Sequence, residues 1–112
     1  MRNDTDRLLD ILEAIERIQL HSVKGKRVFE NDEMLQVWML YHIQIIGEAT
    51  SKTTKEFQKT YPNVPWAKII AMRHVLVHDY FGIDLGEVWA TVEKDIPPLK
   101  VQIKKIINDL ES

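Results

Sequence analysis

Cysteine is absent from this chain of 112 residues, which excludes disulfides and thiolate metal sites and fits a reducing compartment. No apolar run approaches the roughly 18 residues that a membrane-spanning helix needs. The opening Met1-Arg2-Asn3-Asp4-Thr5-Asp6-Arg7 lacks the basic-then-apolar order of a signal peptide, so a cytoplasmic protein with no membrane role is expected. Charge of one sign is also missing. Fifteen Lys and Arg stand against seventeen Asp and Glu, a formal net charge of −2. No global field therefore draws the chain to nucleic acid, and any RNA contact must use a local basic patch. Sustained period-two alternation, the mark of half-buried strands, is absent as well.

What is present reads as helix. Asn3 or Asp4 caps a first helix to about His21, with Leu8, Ile11, Leu12, Ile15 and Ile18 on one face. Residues 22–27, with Gly25 and three cations, read as a loop. Asn31 or Asp32 opens a long helix to about Lys59, with Leu35, Trp38, Met39, His42, Ile45, Ile46 and Ala49 along one side. Tyr61-Pro62-Asn63-Val64-Pro65 breaks it, and Pro65 suits the first turn of the next helix, Trp66 to about Tyr80. Gly82 stops that helix and Asp84 caps a fourth, which Pro97-Pro98 ends or kinks. A last amphipathic piece carries Leu99, Ile103, Ile106, Ile107 and Leu110. The fold class expected is all-α: one domain over residues 1–112, a four- to five-helix antiparallel bundle.

The third helix holds the unusual segment Arg73-His74-Val75-Leu76-Val77-His78-Asp79-Tyr80. An arginine and imidazoles embedded in an apolar stripe are costly unless paired or used. At about 100° per residue, Arg73 and Tyr80 share the apolar arc, whereas His78 lies about 140° from Arg73. One straight helix does not close Arg73 and His78 on a single phosphate. Convergence needs a long reach by the arginine, a helix ending near His78, or a partner subunit meeting it across a two-fold axis. With five arginines and four histidines, about 0.2 Arg-x4-His pairs arise by chance, and a tyrosine two residues on lowers this to roughly 0.005. Plainer readings stand beside the functional one. Arg73 can be a buried cation paired with Glu48, and His42 a structural histidine on an apolar face. His74 and His78, four residues apart, also have the spacing of a metal clip. The clusters Lys24-Gly25-Lys26-Arg27 and Lys52, Lys55, Lys59 can be solvated faces or phosphate contacts.

Arg73 to Asp84 resembles the Arg-x4-His-x-Tyr signature of the HepT-like toxins of the HEPN ribonuclease superfamily. Asp10-Ile11-Leu12-Glu13-Ala14-Ile15, Ile45-Ile46-Gly47-Glu48-Ala49, Tyr61-Pro62-Asn63-Val64-Pro65-Trp66, Val88-Trp89 and Asp95-Ile96-Pro97 resemble the same family's segments, in order. The resemblance implies a homodimer whose Arg–His pairs line a shared cleft. It also implies metal-independent endoribonuclease activity with no cofactor, with Arg73 and His78 catalytic. His74, Tyr80 and Glu48 are expected to support the site by contacting phosphate or base. An MNT-type nucleotidyltransferase antitoxin is implied as partner, transferring AMP to Tyr80 and so silencing the toxin. The family usually has asparagine or another small polar residue where this chain has His74. The alternative is a helical HEPN module that binds a nucleotidyltransferase, nucleotide or RNA without cutting.

RNA supplies its own nucleophile, the 2′-hydroxyl, so residues that move protons and stabilise charge on phosphorus are enough for cleavage. A free imidazole titrates at about pH 6.5, which suits His78 to general acid or base work. Arg73 offers a permanent charge and a planar fork that fits a phosphate.

Overall fold

The computed structural model describes residues 2–74 and 82–112. Every regular element among them is helical: α1 (Asp4–Ser22), α2 (Lys26–Glu30), α3 (Glu33–Ser51), α4 (Lys55–Thr60), α5 (Trp66–Ala71), α6 (Leu85–Ala90), a π-helical turn (Thr91–Asp95) and α7 (Ile96–Glu111). The all-α bundle expected from the sequence is the fold observed. Its short segments α2 and α4 raise the number of elements beyond four or five.

α1 opens on a reciprocal capping box, in which the Asn3 side chain accepts from the Asp6 backbone and Asp6 accepts from the Asn3 backbone. Its buried face, Leu8, Ile11, Ala14, Ile15 and Ile18, packs along α3 and α7. α3 is capped by Asp32, whose carboxylate accepts from Leu35 N at 3.1 Å. Leu35, Met39, Ile43 and Ile46 complete the centre of the core against it. His42 is buried, and its Nδ1 donates to the Trp38 carbonyl at 2.8 Å, the structural role expected of it.

The long second helix does not run to Lys59. It stops at Ser51, and α4 begins anew at Lys55. Thr50 Oγ1 donates to Ile46 O, Ser51 Oγ to Glu48 O and Thr53 Oγ1 to Thr50 O. Such hydroxyl-to-carbonyl bonds weaken helix continuation. Thr54 then caps α4 by accepting from Phe57 N. Asp4 of α1 fixes this corner, accepting from Thr54 N and Thr54 Oγ1, each at 2.8 Å.

Residues 22–27 are likewise not all loop, since α2 starts at Lys26 after Gly25, whose φ of +91° suits glycine. The reason is Phe29, fully buried with its ring 5.3 Å from that of Trp89. Pro65 sits at the N-cap of α5 rather than inside it, and Trp66 Nε1 closes the preceding turn by donating to Tyr61 O at 2.9 Å. Pro97 and Pro98 neither end nor sharply interrupt the last helical stretch. They occupy the first turn of α7, and the missing N–H groups are absorbed upstream, where the π turn lets Ile96 N donate to Thr91 O.

Candidate active site

The third expected helix is shorter than its pattern suggests. α5 ends at Ala71, and residues 72–74 form a tighter turn, with His74 N donating to Ala71 O at 3.0 Å. Arg73 is therefore not in the middle of a helical stripe, as the 100° construction had it. It lies in the turn just past the end of α5. His78, Asp79 and Tyr80, with the His74–His78 clip, the Arg73–Tyr80 shared face and the helix end at Gly82, fall on or against residues outside the described ones. Gly82 itself has a φ of +100°, the left-handed conformation that a glycine stop uses.

α3 is the platform for Arg73. Gly47 is buried in its middle, where glycine costs about 1 kcal/mol relative to alanine. The close approach of the next segment accounts for it. A Cβ on Gly47 would lie 3.0 Å from Arg73 Cβ, 3.2 Å from Arg73 N and 3.3 Å from Ile69 O. One residue on, Glu48 Oε2 accepts from Arg73 Nη1 at 2.9 Å. A turn further along the same face, Ser51 Oγ accepts from Nη1 at 3.0 Å. Arg73 Nε donates to His74 Nε2 at 3.0 Å. The plain reading of Arg73 as a cation paired with Glu48 is thus correct in partner. It is not correct in setting, because the arginine is only half-buried and Glu48 is exposed. Glu48 also serves a second cation, Lys52, through Oε1 at 3.7 Å. Two cations sharing one solvated carboxylate keep a net positive charge available to an anion.

Tyr41, Gln44, Ile45 and Glu48 wall a hollow of about 450 Å³ around Arg73 and His74. Past Tyr41, Ile45 and Glu48 it meets a longer groove of about 790 Å³ between α1 and α3. Trp38 and His42 floor this groove, and Met34, Val37 and Tyr41 stand exposed on its α3 side. Among the described residues no three His, Asp or Glu side chains gather in a way that would hold a metal ion. Sequence reasoning did not single out Gly47 or Ser51 for the site. Their spacing around Glu48 on one helix was the available signal, but only the fold shows that Arg73 docks there.

Residues 11–106 match the family described as ribonuclease HepT-like. A protein of Methanocaldococcus jannaschii named as a gamma-glutamylcyclotransferase and candidate RNase is 41% identical over 99% of this chain, which spans 51% of that protein's length. A probable ribonuclease HepT of Thermococcus cleftensis is 37% identical, over 94% of this chain and 96% of its own. A further candidate RNase of Methanocaldococcus jannaschii is 35% identical, over 93% and 87% respectively. No solved structure gives a significant match. With its helical bundle and an arginine presented from α5 onto Glu48 of α3, the chain belongs to the ribonuclease HepT-like family.

Proposed function

We propose that this protein is an endoribonuclease, the toxin of a type II toxin–antitoxin pair, which cuts RNA without a metal at a cleft shared by two copies of the chain. The observation that carries the reading is Arg73, held by Glu48, Ser51 and His74 at the mouth of a hollow that continues into the groove between α1 and α3. The names of its relatives, ribonuclease among them, support the same chemistry.

In this mechanism Arg73 binds the scissile phosphate and steadies the charge that grows on it in the transition state. His78 takes the proton of the 2′-hydroxyl. The 2′ oxygen then bonds to phosphorus, the bond to the 5′ oxygen breaks, and that oxygen leaves with a proton. The products carry a 2′,3′-cyclic phosphate and a 5′-hydroxyl. Lys52, which shares Glu48 with Arg73, supplies a second phosphate contact. A nucleotidyltransferase antitoxin silences the enzyme by transferring AMP from ATP to the Tyr80 hydroxyl, with release of pyrophosphate, and the added phosphate pairs with Arg73 and fills the cleft.

The second copy is assigned to the groove between α1 and α3. Met34, Val37 and Tyr41 leave an apolar strip exposed there. Around the groove Arg7, Arg17 and Lys52 balance Asp10, Glu13 and Glu48, so a two-fold copy meets it without net repulsion. The test is cleavage of RNA in the presence of chelator by wild type, Arg73→Ala and His78→Ala, with end-group analysis. Cyclic phosphate ends from wild type alone are expected. Equal cleavage by all three would refute the assignment, and intact RNA throughout would favour a binding module instead.

A further inference from the structure

Arginine donates at every nitrogen and never accepts, so the 3.0 Å contact from Arg73 Nε to His74 Nε2 fixes the state of the imidazole. Nε2 must carry a bare lone pair. The ring is then neutral, with its proton on Nδ1. Protonation of Nε2 would remove the acceptor and set an imidazolium against a guanidinium at the same distance. Among the described residues, the neighbouring groups do not cancel that repulsion fully. Of the residues walling the hollow, α3 contributes Tyr41, a neutral phenol, and Glu48, whose two oxygens are already engaged by Arg73 and Lys52. His74 is exposed, so a proton reaches it freely.

We propose that His74 is a positioning residue and a proton-controlled latch on Arg73. Neutral, it holds the guanidinium in the plane set by Glu48 and Ser51. Protonated, it releases the Nε edge and pushes the guanidinium off that plane, so the site loses its phosphate-binding geometry as pH falls. The sign follows from the lone pair: latched at higher pH, unlatched at lower pH. The latch rests on the ribonuclease reading for its consequence, but its chemistry does not depend on RNA being cut.

The test has two arms on the full-length protein. Long-range proton–nitrogen NMR of the histidine rings, assigned with His74→Gln, reads the tautomer directly. Expected is His74 protonated at Nδ1 and bare at Nε2, reverting to the common Nε2-protonated form in Arg73→Met. The Arg73 Nε–H signal should be displaced as His74 is titrated with acid, and should stay in place in His74→Gln. An Nε2-protonated His74 in wild type, or an Arg73 signal indifferent to its titration, would overturn the latch. The second arm is the pH profile of RNA cleavage. Glutamine accepts the same hydrogen bond but does not titrate in this range. Toward acid pH the wild-type rate should fall up to about tenfold further per pH unit than that of His74→Gln. Superimposable profiles would overturn the latch. A confirmed tautomer with no cleavage at any pH would retain the latch and refute the ribonuclease reading.

Discussion

Glu48 divides its carboxylate between Arg73 and Lys52, and a phosphate entering the hollow competes with it for both. Because Glu48 is 55% exposed, the pairs are screened and contribute less than about 1 kcal/mol to stability. Their role is orientation. Glu48→Gln should therefore change unfolding free energy by less than about 1 kcal/mol in urea titrations, while lowering RNA cleavage roughly 10-fold through a misaimed arginine. Gly47→Ala separates packing from chemistry in the same way. Alanine gains about 1 kcal/mol of helix propensity, but its Cβ would press on Arg73 at 3.0 Å. Cleavage is expected to fall at least tenfold with stability within about 1 kcal/mol of wild type. A variant as active as wild type would show that the close approach does not position Arg73. The Arg73–Glu48 pairing was legible in the sequence because a cation in an apolar run demands a carboxylate. The Nε–Nε2 contact was not, because it depends on backbone direction past Ala71.

At the scale of elements, periodicity located α1, α3, α6 and α7 and most of their buried faces. It failed where side-chain chemistry overrides propensity. The run Thr50-Ser51-Lys52-Thr53-Thr54 lies inside the helix expected to reach Lys59 yet breaks it, since its hydroxyls bond to nearby backbone and Thr54 recruits Asp4 from fifty residues away. A long-range cap of that kind leaves no local signature. Asp4→Ala should cost about 1–2 kcal/mol, measured by chemical denaturation, because it orphans Thr54 N and the capping hydroxyl. No loss of stability would mean that Asp4 and Thr54 are satisfied equally well by water. The Pro97-Pro98 pair misled in the opposite sense. An end or a kink was expected, but proline tolerates the first helical turn and the π turn before it supplies the spare residue.

For the whole molecule, the bundle explains why the site lies where it does. α1 and α3 bury one shared face and leave a groove on the other, and α5 delivers Arg73 to the end of that groove. A partner subunit is one of three routes by which Arg73 and His78 could converge, and the family resemblance implies a dimer. The helix that leads to Arg73 ends at Ala71, and the groove with exposed Met34, Val37 and Tyr41 gives the second copy an independent argument. An aspartate at Val37 would be desolvated in such an interface, so Val37→Asp should abolish dimers at micromolar concentration and leave the monomer folded. The most direct measurement is the specific RNA-cleaving activity through a dilution series, with molecular mass followed in parallel for wild type and Val37→Asp. The account predicts that activity and dimer fraction fall together and that Val37→Asp is inactive at every concentration. A monomer that cuts RNA as well as the dimer would contradict it.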